Sequence, residues 1–163
     1  MKEITPEQLY DFFQHYKICE SLTRDEVKRL SNYLHERHYS QGEIISDMGE
    51  VGEALYYVYK GKVGFYSKNG QEIVEVGVQT EGTLIGEMSF FDRKPRNLRM
   101  QADSKQVVLL ELTRPMYDRL KVEEPYIAVN ILENAIVSLD QLVRAMSQDI
   151  SAMEHYLMGT GKR

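Results

Sequence analysis

The apolar residues of this chain change period twice, and that change bounds the folds open to it. Between Tyr39 and Leu112 they fall in short runs, LYYVY, KVGFY, EIVEVGV, LRMQA and QVVLLEL, broken at Gly61, Lys68-Asn69-Gly70 and Glu81-Gly82. Runs of this length, rich in β-branched and aromatic residues and closely punctuated by turns, predict strands packed as a sandwich or barrel. Asn69-Gly70 marks a hairpin, because both residues tolerate the positive φ of a tight turn between twisted strands. On either side the period lengthens. Leu9, Phe12, Phe13 and Tyr16 predict a helix opened by Thr5-Pro6, and Thr23 with Glu26 caps a second helix through Val27, Leu30 and Leu34. Pro115 and Pro125 open two more. The expected organisation is one domain over residues 1–163: N-terminal helices at 1–38, a β region at 39–112, C-terminal helices at 113–158 and a tail at 159–163.

The last helix carries a second constraint. Leu132, Ile136, Leu139, Val143, Met146, Ile150, Met153 and Leu157 recur at alternating steps of four and three. With Ile136, Val143 and Ile150 at a and Leu139, Met146 and Met153 at d, the seam has the residue choice that favours two parallel strands. From Pro125 to Met158 such a helix extends roughly 50 Å at 1.5 Å per residue, more than a domain of this size covers with its own barrel. Packing on the home domain accounts for the first turns. The turns beyond Val143 predict a parallel homodimer.

A net charge of -5 on 163 residues argues against nucleic acid as the main partner, since duplex binding needs a clustered basic face. Cys19 is alone, so neither an internal disulfide nor a cysteine-rich metal site can form. No apolar run approaches bilayer length, and MKEITPEQLYDFF places charges where a signal peptide carries its apolar stretch. A cytoplasmic chain with no membrane contact is expected.

One stretch, LIGEMSFFDRKPRNLRMQA, concentrates candidate chemistry. Gly86 permits close backbone approach, and Glu87 to Phe91 can form a helical turn whose first amides point outward, an arrangement that favours an anion. Ten residues after Gly86, Arg96 offers a planar fork suited to phosphate oxygens, with Pro95 stiffening its approach. Glu87 beside an anion site would repel phosphate unless it faces a hydroxyl donor a little further along. A sugar joined to that phosphate supplies one. Taken alone, a Gly-Glu step and a later arginine are more often a turn and a solvated charge.

The wider sequence settles how to read that stretch. From Tyr39 to Leu120 it resembles the cyclic-nucleotide-binding domain shared by catabolite activators, kinase regulatory subunits and cyclic-nucleotide-gated channels. GEVGEALYYVYKGKVGFY is similar to the family's entry signature, with Gly49-Glu50 ahead of a strand and Lys60-Gly61 at a hairpin. EGTLIGEMSFFDRKPR resembles its phosphate-binding cassette. The resemblance implies a mainly β fold, an eight-stranded jelly roll (double-stranded β-helix) with N-terminal helices and a long C-terminal dimerisation helix. It also implies a cyclic nucleotide, cAMP or cGMP, as ligand, with no cofactor, no metal and no catalysis. Position by position, Glu87 would accept the ribose 2'-hydroxyl and Arg96 would pair with the cyclic phosphate. The amides of Ser89 and Asn97 would add donors, Gly86 and Met88 would shape the turn, and Val76 and Leu84 would line the inner sheet face against ribose and base.

The chain departs from the family after Arg96. Small residues and a hydroxyl are usual there, whereas this chain has Asn97-Leu98-Arg99, so base preference does not carry over. Leu98, by alternation with Met100 and Ala102, points to the core; Arg99 has no family role. Activators read adenine with hydroxyls on the long helix, where this chain aligns Leu142 and Val143. Two other function classes stand beside the sensor. One is a dimeric interaction module of the same fold without nucleotide, motivated by Leu98 and Arg99. The other is a metal enzyme on a related roll, opposed by the absence of histidine between Tyr39 and Leu112; His15, His35, His38 and His155 are isolated. An activator would continue into a helix-turn-helix, whereas this sequence runs out at Gly159-Thr160-Gly161-Lys162-Arg163. The expectation is no direct DNA binding, with the output passed to another protein or to the dimer itself.

Overall fold

A computed structural model describes residues 3–159, except the side chains at 156 and 157; the seam position Leu157 and the tail beyond Gly159 therefore lie outside the described residues. Thr5 and Thr23 cap α1 (Pro6–His15) and α2 (Arg24–Ser31) through reciprocal capping boxes, with Gln8 and Glu26 reaching back to the cap amides. The strands are β1 (His35–Ser40), β2 (Ile44–Ser46), β3 (Ala54–Lys60), β4 (Val63–Asn69), β5 (Glu72–Gln79), β6 (Leu84–Ile85), β7 (Arg99–Ala102) and β8 (Gln106–Thr113). A short helix, α3 (Glu87–Asp92), separates β6 from β7, and α4 (Arg114–Glu123) and α5 (Pro125–Gly159) close the chain. Two four-stranded antiparallel sheets, ordered β1-β8-β3-β6 and β2-β7-β4-β5, make the jelly roll. Gly70, at φ 64, turns the β4–β5 hairpin.

The pleat of β3 and β8 divides the core in two. Leu55, Tyr57, Leu110 and Leu112 face outward onto Phe13, Leu30, Leu120, Ile127 and Ile131 of the helices. Ala54, Tyr56, Val58, Val107 and Leu109 face inward with Val63, Met100 and Ala102. A strand buried on both faces reads as a continuous apolar run, which is why QVVLLEL shows no alternation. The sole break in that run, Glu111, turns into the roll and pairs with Arg37 at 3.2 Å.

The first strand departs from the expected boundary. β1 starts at His35, inside the stretch that the apolar period assigns to the helical lead-in. Its residues, HERHYS, are held by polar pairs instead: His38 to Glu36 at 2.7 Å, and Arg37 to Glu111. Polar pairs stand where apolar contacts would otherwise mark the strand, so a hydrophobic period misses it. His35 and His38 therefore lie on the roll, and the positional argument against a metal enzyme loses its footing. Among the described residues, no group of three or more His, Cys, Asp or Glu side chains is arranged to hold a metal.

α5 has two halves. Ile127, Ala128, Ile131 and Ala135 are buried against the domain, and Tyr57 donates its hydroxyl to Asn134 Oδ1 at 3.1 Å. Past Ala135 no described side chain is buried, and Ile136, Val143, Met146, Ile150 and Met153 are each 55–64% exposed. Leu132 is also exposed and Leu139 half-buried. No described helix is long and apolar enough to cross a membrane.

Candidate functional site

The cassette is built from a two-residue strand, a glycine turn and a single short helix. Gly86 caps α3 at φ 86, a conformation that disfavours any residue with a Cβ. The helix then buries Glu87, Ser89 and Phe90. Ser89 uses its hydroxyl as a staple, accepting from the Gly52 amide at 2.7 Å and donating to the Lys94 carbonyl at 2.6 Å. Arg114 fastens the far side: one guanidinium nitrogen donates to the carbonyls of Gly52 (2.7 Å) and Phe90 (2.8 Å), with the group 4.3 Å above the Phe90 ring. The loop before β3, the cassette and the start of α4 are thereby tied together.

Arg96 is fixed before its side chain makes any contact. Its amide donates to Glu50 O at 2.8 Å, its carbonyl accepts from Gly49 N–H at 2.9 Å, and Val51 bridges Pro95. The guanidinium then donates through Nε to Ser46 Oγ at 2.8 Å and through Nη1 to the Gly86 carbonyl at 3.4 Å. The Ser46 hydroxyl in turn donates to a Glu50 carboxylate oxygen at 3.1 Å, so Glu50 steadies the arginine through a hydroxyl rather than by direct pairing. Gly52 leaves room for this: a Cβ there would stand 2.8 Å from Arg96 Nη2 and 3.0 Å from the Phe90 amide.

Among the described residues, half-buried Arg96 has no carboxylate within ion-pair distance. Three residues on, Arg99 contrasts with it, holding Asp47 through two contacts of 3.0 and 3.3 Å. Burial lowers the Arg96 pKa, and Tyr56, Glu50 and Glu87 partly restore it. A guanidinium stays charged regardless, so the site presents a fixed, half-buried cation.

Glu87 is the opposite pole. It is 9% exposed, and burial raises its pKa above the usual carboxylate range. The Ser138 hydroxyl, which donates to Glu87 Oε1 at 3.0 Å, and the charge on Arg96 both act against that rise. A cation suited to an anion and a carboxylate suited to a hydroxyl therefore stand close enough for each to influence the other's charge.

The sequence profile described as Cyclic nucleotide-binding domain matches residues 36–121, more than half of the chain. The chain belongs to the cyclic nucleotide-binding domain family. Members of this family are regulatory nucleotide-binding modules. This cyclic nucleotide-binding domain is 35% identical over 112 residues to the Cyclic AMP receptor protein of Thermus thermophilus, covering 68% of this chain and 51% of that protein. It is 24% identical over 115 residues to a cGMP-dependent protein kinase of Caenorhabditis briggsae, covering 69% of this chain and 15% of the kinase. The domain thus spans about half, or much less, of the curated relatives it matches. Among solved structures, the catabolite activator protein of Thermus thermophilus superposes with TM-score 0.70 at 28% identity, over 84% of this chain and 62% of that one. A cyclic nucleotide-binding domain from Methylobacillus flagellatus superposes with TM-score 0.77 at 20% identity, over 88% and 84% of the two chains, a likeness of fold.

Gly86, Glu87 and Ser89 lie on the cassette turn and its short helix, with Arg96 reaching back to the Gly86 carbonyl, whereas other expected contacts lie apart. Leu84 belongs to the core against the helices, and its neighbour Ile85 turns into the roll. β6 has only these two residues, too few to reveal a face by alternation. Val76 sits on the edge strand β5, 56% exposed, and Met88 is 55% exposed. Asn97 is exposed and Leu98, just ahead of β7, half-buried. Sequence reasoning missed Ser46, Gly52, Ile85 and Ser138, and placed Glu50 in the entry signature without a role. Only Ser46, Glu50 and Gly52 had a local signal, in the SDMGEVGE stretch that leads into β3.

Proposed function

We propose that this domain is a cyclic-nucleotide sensor in which ligand binding is transmitted to α5 and, through it, to a parallel homodimer. The observation that carries the reading is Arg96: a half-buried guanidinium held by Ser46 and Gly86, with no ion-paired carboxylate among the described residues and the buried Glu87 nearby. A cyclic phosphate supplies the missing counter-charge and the adjoining ribose supplies a hydroxyl to Glu87. Arg99 does not compete for that phosphate, because Asp47 holds it. This weakens the case for a nucleotide-free interaction module. The printed names of the relatives include both a cyclic AMP receptor and a cGMP-dependent kinase, so both nucleotides are the ligands to test.

The apolar seam from Leu132 through Ile136, Leu139, Val143, Met146, Ile150 and Met153 supports a second copy as the partner of α5. An effector protein reading the dimer is the expected output. A ligand shifts α5 only by its differential affinity for two arrangements, and Arg114 and Tyr117 give a route. Arg114 binds the Phe90 carbonyl, and the Tyr117 ring meets Phe90 at 5.5 Å. Calorimetric titration of wild type and Arg96→Ala with cAMP and cGMP tests the reading. Saturable binding to wild type, lost in Arg96→Ala, is expected; no heat with either nucleotide from a ligand-free preparation overturns it.

A further inference from the structure

Ser138 lies 51 residues from Glu87 in sequence, yet its hydroxyl donates to Glu87 Oε1 at 3.0 Å. Two facts give that bond more than a packing role. First, it falls at the end of the helix face that packs on the domain, after Ile127, Ile131, Asn134 and Ala135. From Asp140 onward every described side chain on α5 is exposed. Second, an ionised carboxylate accepts at both oxygens, so a donor on Oε1 fixes the group's rotation while Oε2 still accepts. Apart from Ser138, Glu87 is set by a short helix and by a hydrogen bond from its own backbone amide, and its burial disfavours the charged acceptor form that a ligand hydroxyl needs.

We propose that Ser138 is a positioning residue of the binding site: α5 reaches across the domain to aim the Glu87 carboxylate at the ligand hydroxyl. The assignment rests on the cyclic-nucleotide reading above and deepens it. Binding and helix position are then linked at one atom, because a ligand that needs Glu87 aimed also favours α5 docked through the turn that holds Ser138. The leucine and valine at 142 and 143 carry no hydroxyl, so this contact to the carboxylate is the polar tie that α5 makes to the site among the described residues.

The experiment is a titration of wild type, Ser138→Ala and Ser138→Thr with cAMP and cGMP, each beside its 2'-deoxy analogue. Ser138→Ala is expected to weaken binding of the ribonucleotide roughly tenfold and to leave the 2'-deoxy compound within about twofold of wild type. Ser138→Thr, which keeps the hydroxyl, is expected to restore ribonucleotide affinity. Hydrogen exchange supplies a second readout: nucleotide slows exchange of the turn around Ser138 in wild type and not in Ser138→Ala. Equal losses for ribo and deoxy ligands, or no loss for either, overturn the positioning role while leaving the ligand reading intact. Failure of every nucleotide to bind wild type overturns the ligand reading, and this proposal with it.

Discussion

The cassette and the far half of α5 carry opposite kinds of unbalanced surface. Around Arg96 the imbalance is one of charge: a guanidinium in a partly dehydrated site, steadied by a hydroxyl and a carbonyl rather than by a carboxylate. Along α5 beyond Ala135 it is apolar, with Ile136, Val143, Met146, Ile150 and Met153 more than half exposed. Within this chain each would be costly if it were only structural. Together they teach that the domain invests its polar precision at one end and its apolar area at the other, with Glu87 and Ser138 joining them. Changes aimed at one region should therefore act first on that region's own function and reach the other only through the Glu87–Ser138 link.

Val143→Asp is the most severe way to break that comparison. If the seam is buried in a dimer, an unpaired carboxylate there should raise the dimer dissociation constant at least about 100-fold, seen by sedimentation equilibrium, while the monomer's fold is retained by circular dichroism. A wild-type chain that sediments as a monomer at micromolar concentration would remove the seam's role altogether. Gly52→Ala attacks the other region. Its Cβ would press on the Arg96 guanidinium and on the backbone of Ser89 and Phe90, so nucleotide affinity measured by calorimetry should fall roughly tenfold with no change in oligomeric state.

Glu87→Gln sharpens the electrostatic half. Because burial raises the Glu87 pKa, this group favours the folded state most where it is protonated, below the ordinary carboxylate value of 4.5. That contribution is lost as pH rises through the raised pKa. At neutral pH the ionised side chain therefore costs stability, and Glu87→Gln should raise the Tm of the unliganded domain by a few degrees at most. The gain should shrink as pH falls toward 4.5, in thermal melts run in parallel, even as the same variant binds ribonucleotides more weakly. The smallest effect is expected at Arg99. Its pairing with Asp47 is partly exposed, so Arg99→Ala should change nucleotide affinity by less than about twofold in the same calorimetric assay.

Those expectations draw unevenly on the sequence. Caps, the hairpin at Gly70 and the cassette turn are local: the residues that need each other lie within a few positions, so Thr23 with Glu26, or Gly86 with Glu87, can be read directly. The heptad of α5 is legible for the same reason, since period alone defines it. What could not be read depends on register or on distance in sequence. Leu84 and Ile85 make a strand too short to alternate, and the pleat sends Ile85 into the roll. β1 hides behind HERHYS because its side chains are mostly polar and held by hydrogen bonds and an ion pair. Ser138 carries no signal at all: a serine among helix surface residues acquires meaning only when the roll and α5 are packed together. Arg99 shows the converse, a residue that breaks the family pattern in sequence and is explained at once by Asp47 in space.

The central claim, that Arg96 and Glu87 are the two poles of a cyclic-nucleotide site, is tested most directly by diffraction from crystals grown with cAMP or cGMP. The account predicts the cyclic phosphate within hydrogen-bonding distance of the Arg96 guanidinium and the ribose 2'-hydroxyl donating to Glu87 Oε2, with Ser138 still on Oε1. A nucleotide bound elsewhere, or one whose phosphate leaves Arg96 without a contact, would contradict it.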